Sequence, residues 1–168
     1  KNSKLVNVSA RAVILATGGS GQLRLQGFPS SNHVGATGDG LVLSYRQGCR
    51  LTFLDSYQYH PSGACYPEAL AGQLVTEAIR SVGAQVVNAD GIHFIDEMAY
   101  RDVLAGAIIK ETREGRGVTT PNGKIGVWLD TPMIDLKNGE GTLAKQFPGL
   151  IHRFERYDID PAKTPVLI

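Results

Sequence analysis

The sequence predicts an α+β fold, a small mixed sheet with helices against it. Three observations carry this. Short runs rich in β-branched and aromatic residues recur along the chain, segments with helical spacing of apolar residues lie between them, and glycine or proline closes nearly every segment. In order, "RAVILATGG" (residues 11–19) is a continuous apolar run ending in glycines, the pattern of a buried strand feeding a loop. "ATGDGLVLSYRQGC" places a helix from Gly40 to about Gln47, with Asp39 at its start and Gly48 as its stop. "RLTFLDSYQYHPSG" reads as a strand with His60 at its end, halted by Pro61 and Gly63.

The second half repeats the alternation. "LAGQLVTEAIRSVG" has apolar residues at 70, 74, 75, 78, 79 and 82, a helical spacing ending at Gly83. "AQVVNADGIHFI" reads as a hairpin turning at Asp90 and Gly91. A helix follows from about Tyr100 to Glu114, with Val103, Leu104, Ala107, Ile108 and Glu111 on successive turns. "VTTPNGKIGVWLD" is a turn and a short strand, and the tail suggests two short helices broken at Pro148 before an extended exit.

Composition narrows the function classes. The 17 basic and 16 acidic residues are mixed along the chain for a net charge of +1, so no electrostatic footprint for nucleic acid or an anionic membrane is present. No apolar run approaches the roughly 20 residues that span a bilayer, so no direct membrane insertion is expected. Cys49 and Cys65 have neither metal-site nor disulfide-scaffold spacing, which favours a reducing, cytoplasmic setting. The chain does not begin with Met and is expected to be an internal piece of a longer protein.

Several residues could carry chemistry, and each has a plainer reading. "ATGGSG" is a tight turn or a place where a ligand meets backbone. Asp39 caps a helix or faces a polar cofactor group. His60 is a histidine packed at a strand end, which local sequence favours, or a ligand. Glu77 and Arg80, at i and i+3, form a surface pair or, among apolar Val75, Ala78 and Ile79, a partly desolvated one. Arg101 and Asp102 open a helix; the aspartate suits the dipole there, but the arginine does not, so it wants an anionic partner.

"ARAVILATGG", "ATGDGLVLSYRQGC", "QYHPSG", "LVTEAIRSVGAQVVNADGIHFIDE", "YRDVLAGAI" and "REGRG" resemble, in order and spacing, the flavoprotein subunits of fumarate reductase and succinate dehydrogenase, a family that includes L-aspartate oxidase. The resemblance implies a partial segment of an α/β FAD-binding domain over residues 1–54 and a capping domain over 55–168 that closes on substrate. It also implies FAD as cofactor, a small dicarboxylate as substrate, an iron–sulfur partner protein, and a place peripheral to the inner membrane. Residue by residue, Ala16, Thr17, Gly18, Gly19 and Asp39 match positions against the flavin. His60 and Thr76 resemble ligands of the substrate carboxylate, Glu77 and Arg80 a proton-delivery pair, and Arg101 the acid or base at the substrate carbon. The departures are Ser62 where the family prefers Thr, "RSVG" at 80–83 where it prefers Arg-Gly-Glu-Gly, and the absence of a GxGxxG fingerprint and of the later substrate-clamping motifs. The parent protein is expected to interconvert fumarate and succinate, with an L-aspartate oxidase-like enzyme or a non-catalytic capping or interaction module as the alternatives; the piece is expected to be inactive by itself, and its first 50 or so residues to lack sheet neighbours.

Overall fold

A computed structural model describes residues 4–21 and 31–168. Its centre is a three-stranded sheet, β1 (Gln85–Val87), β4 (Trp128–Asp130) and β5 (Val166–Leu167), in the order β1-β4-β5. Both pairings are antiparallel, so the sheet is antiparallel throughout and not mixed. The register aligns Val86, Leu129 and Val166 in one row across the strands. All three are buried, as the two-residue alternation of strand side chains requires of a sheet with one face on the core. Onto that row pack Ile79 of α2 (Ala78–Ser81), Ile134 of α4 (Pro132–Asn138), Leu143 of α5 (Thr142–Gln146) and Phe154 of α6 (Pro148–Glu155). A second hairpin, β2 (Val118–Thr119) with β3 (Ile125–Gly126), lies beside α3 (Arg101–Arg113). The α+β expectation holds.

Two expected helices form close to their expected bounds, α1 (Asp39–Arg46) and α3, and the tail divides into α5 and α6 at Pro148. Three expected elements do not form. Residues 11–19 pair with no strand among the described residues, and Ile14 is 91% exposed; an apolar run becomes a strand only where a neighbour takes up its N–H and C=O groups. Residues 50–60 are interrupted by Phe53, whose φ of 54° turns the chain, and Ser56 donates back to the Phe53 carbonyl. The expected helix over 70–82 shrinks to α2. Gly72, at φ +80°, lets residues 72–75 fold back along 62–64, and the Ala64–Gln73 and Val75–Ser62 backbone bonds replace helical ones.

The expected 84–95 hairpin survives as one bridge, Val87 to His93, with β1 taking its ladder from β4. Its turn is held by Asn88, whose Oδ1 accepts the N–H groups of Asp90 and Ile92 and whose Nδ2 donates to Glu111 Oε2 at 3.1 Å. Glu111 also accepts two bonds from Arg116, at 2.7 and 2.6 Å, which hold its carboxyl down at about 2. This buried clasp ties the C-terminal half of α3 to the hairpin. Asn88→Ala leaves two turn N–H groups and a carboxylate lone pair without their partner. We expect it to lower the unfolding free energy by about 1–3 kcal/mol in urea titration; a loss too small to measure would mean water replaces the amide.

Candidate functional site

The fold-back at 62–75 builds the site. Gly63 pairs with Leu74, and continuing that antiparallel register by three residues each way sets His60 opposite Glu77. His60 Nε2 lies 3.7 Å from Glu77 Oε2. Glu77 is the residue just before α2, not a mid-helix residue, and Arg80 stands one turn on with its side chain only 1% exposed. Arg101 is the first residue of α3, where the helix dipole disfavours a cation. The carboxylate it needs is Glu77: Arg101 Nε donates to Oε2 at 2.8 Å, and Nη2 lies 2.7 Å from the same oxygen. Arg80 Nη2 approaches the other oxygen, Oε1, at 3.5 Å.

One carboxylate thus gathers two guanidiniums and an imidazole from three separate segments. Arg80 Nη1 donates to the main-chain carbonyl of Glu97, while its Nε and Nη2 have no hydrogen-bond partner among the described residues. The hydrogen bond from Arg101 holds the Glu77 carboxyl below the usual carboxylate range, against a smaller opposing effect of burial. Burial pushes the Arg80 guanidinium down. Burial also pushes the His60 imidazole down, with Arg101 and Arg80 acting in the same direction and Glu77 against them. The neutral ring has a defined tautomer: the Ser62 N–H donates to Nδ1 at 3.2 Å, so Nε2 carries the proton and faces Glu77.

A cavity of about 320 Å³ opens beside this cluster, lined by Gln58, Glu77, Met98, Tyr100, Arg101 and Asp102. Its volume is at the lower end of what small-molecule sites use. His60 and Thr76 do not line it, and Thr76 is exposed at the edge of α2. Gln58 was not among the residues expected from sequence. It accepts a hydrogen bond from Arg101 Nη1 at 3.3 Å, across 43 residues, and nothing in its local sequence signals that.

The residues expected against a flavin assemble separately. Gly38 N–H donates to the Gly19 carbonyl at 3.2 Å, Gly21 N–H to the Ala36 carbonyl at 2.9 Å, and Ser20 bridges Thr37. Ala16, Thr17, Gly18 and Gly19 are thereby brought to the N-terminus of α1. No side chain caps that helix: its N-cap is Gly38, so Asp39 contributes charge in the first turn and not a cap. A Cβ on buried Gly40 would lie 1.9 Å from Thr17 Oγ1, so the loop meets the helix with no room for a side chain. Gly18, at φ +71°, has open space above it. Exposed loop backbone beside a helix N-terminus suits a polar or anionic cofactor group. Ser20 Oγ and Tyr57 Oη, 2.8 Å apart, join this edge to the segment that carries His60.

A family model described as an FAD binding domain matches residues 1–167. The chain belongs to the FAD binding domain family. Among its relatives, a fumarate reductase (CoM/CoB) subunit from Methanothermobacter marburgensis is 41% identical over 136 residues, covering 77% of this chain and 23% of that protein. An L-aspartate oxidase from Streptomyces coelicolor is 34% identical over 167 residues, covering 95% of this chain and 26% of that protein. A solved structure of E. coli quinol fumarate reductase superposes with a TM-score of 0.71 at 28% identity, covering 91% of this chain and 27% of that one. The kinship expected from the motifs is thus met, and the chain spans roughly a quarter of the length of the relatives it matches. The family's cofactor is FAD, which the loop at 16–21 and the start of α1 fit. Among the described residues no cluster of histidine, cysteine and carboxylates could hold a metal ion, and no helix is long and apolar enough to cross a membrane.

The charges around His60 set a directional test. Its titration midpoint, followed by NMR of the ring protons, is expected below 6.5. Arg101→Gln removes a repelling cation and frees Glu77 to attract the imidazolium, so the midpoint should rise. A midpoint that stays or falls would show that Arg101 does not act on this ring.

Proposed function

We propose that this chain supplies the substrate-facing and proton-handling part of an FAD-dependent oxidoreductase that interconverts fumarate and succinate. The observation that carries the reading is the convergence of Arg101, Arg80 and His60 on the Glu77 carboxylate beside a cavity of small-molecule size. Residues 1–54 would form the flavin side and 55–168 the closing unit, with Ala16, Thr17, Gly18, Gly19 and Asp39 against FAD.

When bound, FAD supplies the hydride donor or acceptor at N5. The residues of this chain do the rest. His60, neutral with its proton on Nε2, would turn that N–H from Glu77 to one substrate carboxylate, and the exposed Thr76 hydroxyl would add a second donor, both from outside the cavity lining as it stands. Arg101 presents a guanidinium proton to the substrate carbon next to the one that receives hydride. In the reducing direction, one carbon gains a hydride and its neighbour a proton, which turns the double bond into a single bond. Arginine does not persist deprotonated, so the proton leaving Arg101 must be replaced as it departs. Glu77, bonded to both Nε and Nη2 and ionised at rest, would take a proton that arrives from solvent by way of Arg80 on one oxygen and pass it to Arg101 from the other, so that the carboxylate ends ionised and both guanidiniums end protonated. A cap that closes over this arrangement would exclude water and strengthen each of these contacts.

A second reading has a specific support: the 34% identity to an L-aspartate oxidase. In that case the same clamp takes an amino dicarboxylate. The M. marburgensis relative is named as one subunit of its enzyme, which supports a partner, of the iron–sulfur type, that would carry electrons to or from the flavin.

The test uses the full-length protein loaded with FAD. Arg101→Gln should lower fumarate reduction by about 10²- to 10⁴-fold, the range of positioned acid–base groups, and the 168-residue chain mixed with FAD should show no turnover. Unchanged reduction in the variant would remove the proposed role of Arg101. Comparing aspartate with succinate as reductant separates the two substrate readings.

A further inference from the structure

Buried Arg80 is held at its far end by something outside the Glu77 cluster. Its guanidinium makes one hydrogen bond among the described residues, from Nη1 to the main-chain carbonyl of Glu97, and Nε and Nη2 make none. A buried guanidinium with so few partners is sensitive to the loss of any one of them. The position of the Glu97 carbonyl therefore decides where Arg80 sits.

That carbonyl belongs to a segment fixed at several points. His93 is bridged to Val87 at the end of β1, and Phe94 and Ile95 pack against the core. The Asp96 side chain then accepts the Met98 N–H at 2.9 Å, and the Asp96 carbonyl accepts the Ala99 N–H at 3.0 Å. Met98 and Tyr100 line the cavity, and the next residue is Arg101. One further bond spans the Glu97 turn: His93 Nε2 to Glu97 Oε2 at 2.8 Å, with the Glu97 side chain 15% exposed and His93 40% exposed. A single stretch, 93–101, thus carries the carbonyl that holds Arg80, a wall of the cavity, and Arg101.

We propose that the His93–Glu97 pair is a latch that positions both guanidiniums of the relay on the two oxygens of Glu77. Its ring and carboxylate neither line the cavity nor contact Glu77; they fix the turn between β1 and α3, and the Glu97 carboxylate adds a direct attraction on Arg80 smaller than that of Glu77. Opening the latch lets the Glu97 carbonyl swing, loosens Arg80 from Oε1 of Glu77, and shifts the start of α3 relative to Oε2. Substrate carboxylate binding at His60 depends on other contacts, the Ser62 N–H and the 62–75 pairing, and is left in place. The His60 contact to substrate therefore survives, and the larger effect of opening the latch falls on proton delivery.

The inference rests on the reading of Arg101, Glu77 and Arg80 as a proton relay, and the experiment separates the two. In the full-length, FAD-loaded protein, Glu97→Ala and His93→Ala should each lower kcat for fumarate reduction about tenfold to a hundredfold, the usual cost of a small misplacement of reacting groups. KM should change little, and the solvent deuterium isotope effect on kcat should rise. Glu97→Gln, which keeps an oxygen for His93, should recover most of the activity. The double alanine variant should lose no more than either single one, as members of one pair do. A wild-type kcat in Glu97→Ala, or losses in the two alanine variants that simply add, overturns the latch. So does a loss that follows flavin content or thermal midpoint equally in Glu97→Ala and Glu97→Gln. Arg101→Gln run alongside marks the difference: if it too keeps full activity, the relay reading fails, and if it is inactive while Glu97→Ala is normal, the latch alone fails.

Discussion

The candidate site depends on one carboxylate. Glu77 accepts Arg101 on Oε2, faces Arg80 with Oε1, and has His60 nearby. Without it, Arg101 would stand at a helix N-terminus against the dipole, and Arg80 would be a buried guanidinium with a single hydrogen bond and only the weaker attraction of Glu97. Arg101 meets its counter-charge on this anion, and Arg80 meets the larger part of its own there, with a smaller attraction from the Glu97 carboxylate. That arrangement also explains why Glu77 is held ionised: its charged form has more partners than its neutral form could keep.

The fold delivers Glu77 to this place by shortening a helix. Had residues 70–82 formed a continuous helix, Glu77 would lie on its flank, about two turns from the segment that carries His60. The fold-back at Gly72 pairs 72–75 with 62–64 instead, and the antiparallel register then sets residues 60 and 77 face to face. The three-stranded sheet and the helices upon it supply a fixed base, since Ile79 of α2 is buried in the same core as Val86 and Leu129. The clasp of Asn88, Glu111 and Arg116 does the same for the far end of α3. Rigid supports on both sides suit a site whose geometry must hold to within a fraction of an ångström.

Much of the helical content was legible in the sequence, because glycine stops and apolar spacing are local signals. Gly48 and Gly115 mark the ends of α1 and α3 to within two residues. α4 was not anticipated, although Thr131 followed by Pro132 is a start signal of the usual kind. The spacing at 70–82 misled because Leu74 and Val75 belong to a backbone pairing that periodicity does not sense. The apolar run at 11–19 reads as a buried strand, yet a strand also needs a neighbour, and none pairs with it among the described residues. For the site, local chemistry reached only the mismatch of Arg101 with its helix end; the motif resemblance brought His60, Glu77 and Arg80 into view. Gln58 and the His93–Glu97 pair needed coordinates, since their importance lies in contacts to Arg101 and Arg80 made by neighbours distant in sequence.

If Glu77 is the organising group and the carrier of the returning proton, replacing its charge without changing its shape should stop the chemistry and spare binding. The direct measurement is steady-state fumarate reduction by the full-length, FAD-loaded Glu77→Gln variant. The account predicts that kcat falls by about a hundredfold or more while KM stays near its original value. A variant with normal kcat would contradict it, because an amide at this position can neither return a proton to Arg101 nor balance the two guanidiniums.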